Sequence, residues 1–74
     1  MYTNLSNELK AKGLSLNAAA AAIGMPEATF RGKMTIPERS FSIEEAISIK
    51  LNLFPELDIF YLFNKSEAIN KKGG

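Results

Sequence analysis

Residues 15–34 read Ser15-LNAAAAAIGMPEATFRGK-Met34. Ser15 is a good N-cap for a helix from Leu16 to Ala22, whose alanines combine the highest helix propensity with the least bulk. Gly24, lacking a Cβ, can take a positive φ just past the end of that helix, and Pro26 pre-sets φ for the first turn of the next. A second short helix, about Pro26 to Met34, places Phe30 and Met34 on one face and Glu27, Arg31 and Ala28 on the other. Two short helices joined by a glycine turn form a helix-turn-helix, the unit that sets its second helix in the DNA major groove.

Upstream, Thr3 or Asn4 is expected to cap a first helix from about Leu5 to Lys12, with Leu5 and Leu9 on its buried side and Gly13 as its stop. Downstream, Thr35 to Phe41 reads as a connection marked by Pro37. Ser42-Ile43-Glu44-Glu45 is an S-x-x-E capping box, so a fourth helix starts at Ile43 and runs to about Asn52. Ile43, Ala46, Ile47, Lys50 and Leu51 are expected to supply its core face. Phe54-Pro55 breaks the pattern, and Asp58 caps a last helix, Ile59 to Phe63. The prediction is one all-α domain of five helices over residues 1–63, followed by a disordered, Lys-rich tail over 64–74.

Seventy-four residues suffice for one domain, and its core must come from Leu, Ile, Phe, Met and Ala because the chain has no Cys. It also has no His, which removes the commonest zinc ligands and the commonest general base. We therefore expect no metal, no cofactor, no small-molecule substrate and no catalytic residues; the only paired carboxylates, Glu44 and Glu45, already have a capping role. No apolar run approaches the roughly twenty residues that span a bilayer, so a cytoplasmic protein without a membrane partner is expected.

Three segments agree in order and spacing with a known pattern: L-S-x-x-x-x-A-x-x-I-G-M-x-E-x-T-F over Leu14 to Phe30, S-x-E-E-A-I-x-I over Ser42 to Ile49, and D-I-F-Y-L-F over Asp58 to Phe63. In these the chain resembles the phage repressor and Cro type of helix-turn-helix domain, the xenobiotic-response-element family. The resemblance implies a compact lambda-repressor-like fold and a sequence-specific transcriptional regulator of phage or prophage type. It also implies double-stranded DNA as partner and a symmetric homodimer whose recognition helices enter successive major grooves about 34 Å apart. The implied contacts are Ser15 and Asn17 at the start of helix two, Glu27, Ala28, Thr29, Arg31 and Lys33 on helix three, and Arg39 after it. Arg can fork onto guanine O6 and N7, Lys supplies a point charge, Thr can donate to phosphate, and Glu can accept from a cytosine amino group.

The chain departs from that family where Leu16, Pro26 and Ala28 replace polar residues that usually touch DNA. Gly32 is a further departure, because glycine inside a helix costs about 1 kcal/mol relative to Ala. Charge is also low for a DNA binder. From Met1 to Phe63 six Lys and Arg stand against seven Asp and Glu, and the overall +1 comes from the three Lys and one Glu beyond. Non-specific duplex affinity should therefore be weak. A helical protein-interaction module, antitoxin-like or a regulator's partner, stays open as the alternative. Phe54, Phe60, Tyr61 and Phe63 are read as core closure, with the surplus that one short helix cannot bury expected at a dimer interface.

Overall fold

The computed structural model describes residues 2–65. Within them the chain is all-α, with α1 (Thr3–Ala11), α2 (Leu16–Ala22), α3 (Glu27–Thr35), α4 (Ile43–Leu53) and α5 (Ile59–Leu62). Three starts are capped as the local sequence dictates. Ser15 Oγ accepts from the Ala18 N–H, Asp58 Oδ2 accepts from the Tyr61 N–H, and Ser42 and Glu45 form a complete reciprocal capping box. The ends of α1 and α2 share one device. Gly13 and Gly24 sit at φ +72° and +71°, and the N–H groups of Leu14 and Met25 reach back five residues to Leu9 and Ala20 carbonyls at 2.9 Å each. That is the Schellman closure, which satisfies carbonyls a helix end would otherwise leave open.

The start of α1 differs from expectation. Neither Thr3 nor Asn4 caps it; the helix begins at Thr3 with Tyr2 in the cap position and no side-chain cap. Asn4 is used at longer range, donating from Nδ2 to the Tyr61 carbonyl at 2.8 Å. Tyr2 is itself core, 4% exposed, stacked obliquely on Phe41 and edge-on to Phe63, with its hydroxyl accepting from the Phe41 N–H at 3.2 Å. Burial of this aromatic and its contacts stabilises the α1 start where a cap would have.

Leu5, Leu9, Phe30, Ile49, Phe54 and Leu62 are the largest fully buried side chains, and among the described residues no polar or charged residue is buried. Phe54 closes the core as expected. The core face of α4 matches the sequence reading at Ala46 and departs from it elsewhere. Ala46, Ile49 and Leu53 face inward, while Ile43, Ile47 and Leu51 are 78%, 42% and 62% exposed. Both sets are apolar at helical spacing, so the periodicity of α4 is ambiguous by itself, and the packing of α2 and α5 against it selects one. Asn64 and Lys65, assigned above to the tail, belong to the described fold, where Lys65 is anchored as set out below; the rest of that expectation, 66–74, lies outside the described residues.

Candidate nucleic-acid interface

α2, the four residues Ile23 to Pro26, and α3 form one packed unit, seated on the core by Ala19, Ala20, Phe30 and Met34. The glycine at its corner is required by backbone conformation and not by space: nothing lies within 4 Å of where a Gly24 Cβ would stand. Pro26 occupies the cap position of α3, φ −59° and ψ 142°, so the helix starts one residue later than the sequence suggests.

With Phe30 and Met34 inward, α3 turns Ala28, Arg31 and Thr35 outward. Thr35 escaped the sequence reading, which placed it in the connection, yet it follows Ala28 and Arg31 at seven and four residues and lies on their face. Its hydroxyl donates to the Arg31 carbonyl at 2.8 Å. Thr29 is half-buried at the margin of this face, and Ser15 and Asn17 are exposed at the start of α2. Although the Ser15 oxygen accepts the cap hydrogen bond, its O–H remains a donor for an anion. Leu16 is half-buried and lines an apolar cleft of about 330 Å³ between α1 and α3, alongside Leu9, Leu14 and Met34.

The structure sorts the cations that the sequence grouped together. Arg31 and Lys33 are two residues apart, which on a helix separates them by about 200°. Arg31 stays on the outward face, 58% exposed, where its guanidinium pairs with the Glu27 carboxylate one turn earlier. Lys33 points to the N-terminus of α4. Its side chain is 18% exposed and its Nζ donates to both oxygens of Glu45, at 2.7 and 2.9 Å. Glu45 also accepts from the Ser42 N–H at 2.9 Å. The Lys33 ammonium first, and the Ser42 N–H second, hold the Glu45 carboxyl below its ordinary pKa. Lys33 therefore ties α3 to the α4 cap and is not a neighbour of Arg31.

Arg39 takes an unexpected place, and Gly32 is the reason. A Cβ on Gly32 would lie 2.9 Å from Arg39 Nη1, so the guanidinium from the connection lies on the bare backbone of α3. The helix carries glycine where a loop-borne cation covers it. Among the described residues Arg39 has no carboxylate partner within ion-pair distance. Its backbone is anchored by a residue that sequence reasoning missed. Lys65 Nζ donates to the carbonyls of Pro37 (3.1 Å) and Arg39 (2.8 Å) and to Ser40 Oγ (2.9 Å), and lies 5.2 Å above the Tyr2 ring. Three ammonium hydrogens meet three acceptors on one connection. No local signal marks Lys65, because all its partners are distant in sequence.

Among the described residues, the outward face thus carries one guanidinium without a carboxylate partner (Arg39), one shared with a carboxylate (Arg31), and the hydroxyls of Thr35 and Ser15. Such a face can hydrogen-bond phosphates and base edges, with modest net charge. Among the described residues no cluster of His, Cys, Asp and Glu could hold a metal ion, and no helix is long and apolar enough to cross a membrane. Comparison with protein-family models, curated proteins and solved structures gives no match.

Proposed function

We propose that this protein is a sequence-specific DNA-binding regulator in which α2 and α3 act as a helix-turn-helix and α3 enters the major groove. The observation that carries the reading is the α2–α3 unit itself. It joins a Ser-capped helix, a positive-φ glycine corner and a second helix whose inner face is core, and whose outer face presents Ala28, Arg31 and Thr35 with Arg39 laid across Gly32. The small side chain at position 28 lets the helix backbone approach the base edges closely, while the space over Gly32 is taken by Arg39. Arg31 would fork onto guanine, with Glu27 holding its near side, while Arg39, Ser15 and Asn17 meet phosphates. Lys33 would act through α4, positioning the helix.

A second reading, the helical protein-interaction module, is favoured by the internal pairing of Arg31 with Glu27 and of Lys33 with Glu45. One titration separates the two. Duplexes selected from a randomised pool, and mixed-sequence duplex, are titrated between about 50 and 200 mM salt. The DNA reading expects log K to fall with log[salt] at a slope of about −1 to −2, because Arg39 and Arg31 are the cations it brings to the duplex and the Ser15 and Asn17 contacts are neutral. It also expects Arg31→Ala to weaken the selected duplex by about 1–3 kcal/mol. Absence of any duplex binding at the lowest salt refutes it in favour of the protein-binding reading.

A further inference from the structure

Residues 36–40, between α3 and α4, are all exposed, so side-chain burial does little to fix the path that brings Arg39 back over α3. What fixes it is polar and comes from the far end of the fold. Among the described residues, Lys65 and Tyr2 supply every hydrogen bond that side chains elsewhere make to residues 36–41. The Lys65 ammonium donates to the Pro37 and Arg39 carbonyls and to Ser40 Oγ while lying over the Tyr2 ring, whose hydroxyl in turn accepts from the Phe41 N–H. Arg39 is held from both sides. Its own N–H donates to the Ile36 carbonyl at 2.9 Å, and its carbonyl accepts from Lys65 at 2.8 Å.

We propose that Lys65 is a positioning residue: its ammonium sets the connection so that the Arg39 guanidinium lies across Gly32, and it thereby governs the phosphate contact that Arg39 makes. The part that concerns DNA rests on the function proposed above; the clasp itself does not. The chemistry of the site selects lysine. Three hydrogens on one rotatable nitrogen converge on three acceptors, and the same charge faces an aromatic ring. Arginine would spread its donors over a planar fork, and methionine would keep the apolar stem but leave the two carbonyls and the hydroxyl to water. With its three hydrogens taken, Lys65 has none left for a phosphate, so it acts through the Arg39 backbone. Arg39 needs such a clasp, because a long side chain on a free loop loses more conformational freedom on binding than one whose backbone is already held.

The test reads the position of Arg39 first and duplex binding second. The chain has no Cys, so Lys65→Cys introduces a single thiol. Alkylation with 2-bromoethylamine returns an ammonium on a side chain of lysine length, and iodoacetamide gives a neutral amide instead. Without DNA, NMR amide exchange at Arg39 and Phe41 should be on the order of tenfold faster in Lys65→Met and in the neutral adduct. The Gly32 resonances should move to where Arg39→Ala puts them, and the aminoethyl adduct should restore both signals. Ser40→Ala, which keeps every charge and removes one acceptor, should move them part of the way. With a selected duplex, Lys65→Met and Arg39→Ala should each make the salt slope shallower by about 1, and the double variant should do so by no more than either alone.

Unchanged exchange at Arg39 and Phe41 with unmoved Gly32 resonances in Lys65→Met would overturn the clasp. Additive losses in the double variant would mean that Lys65 meets a phosphate itself, which overturns its positioning role while leaving the DNA reading intact. A parent chain that binds no duplex refutes the DNA reading and with it the DNA consequence, and the exchange data still decide the clasp.

Discussion

Gly32→Ala puts the relation between stability and the proposed DNA contact of the outer face of α3 to a direct test. Gly32 lies inside α3, where glycine is about 0.8–1.0 kcal/mol less favourable than Ala. The new methyl would meet Arg39 Nη1 at 2.9 Å and Ile36 Cδ1 at 3.8 Å. The second is an ordinary contact; the first is too close, but it involves the tip of a long exposed side chain that can swing into water at little cost. Most of the propensity gain should survive, giving about 0.5–1 kcal/mol of added stability and a rise in Tm of about 2–8 °C for a domain of this size. The displaced guanidinium should at the same time weaken duplex binding, so the two effects have opposite signs. Far-UV circular dichroism melts and the salt-dependent duplex titration read them. Repeating the substitution in an Arg39→Ala background isolates the contact: there the Tm gain should be equal or slightly larger. A fall in Tm in both backgrounds would refute the reasoning, because it would mean that Gly32 is needed for something other than Arg39.

Stability should fall away at both ends of the pH range, for two named reasons. Glu45 has a folded pKa below its ordinary 4.5, so its contribution is complete above that value and is lost as pH drops below it; urea unfolding of Glu45→Gln should show a shallower acid limb than the parent. The Tyr61 hydroxyl donates to Glu8 Oε2 at 2.7 Å, which raises its pKa above 10.0, so its contribution holds below that value and is lost as pH rises through the folded value, a loss that Tyr61→Phe should abolish. Ala19 is 0% exposed and does not line the cleft between α1 and α3, so Ala19→Leu should overpack the α2 seat and destabilise by about 1–3 kcal/mol in urea unfolding; a higher midpoint would reveal an unfilled void there.

The pattern of hits and misses follows the range of the interactions involved. α2 has the expected bounds, α4 starts where its capping box places it, and the other boundaries move by one or two residues. A cap or a glycine stop acts within four or five residues, so Ser15, Ser42, Glu45, Asp58, Gly13 and Gly24 all carry their structural role in their immediate sequence. On the outer face of α3 the outward placement of Ala28 and Arg31 followed from helical period alone. The sequence could not show that Lys33 would leave that face for Glu45, twelve residues on, or that a loop arginine would cover Gly32.

The sequence by itself therefore determined five helices, their order and the glycine corner between α2 and α3, because these rest on local backbone hydrogen bonding. Only the tertiary structure decided which of two equally apolar stripes on α4 is core, which cations remain available on the outer face, and that Lys65 closes the connection carrying Arg39. Each of those outcomes depends on which helix approaches from where, and no periodicity within a single helix contains that information.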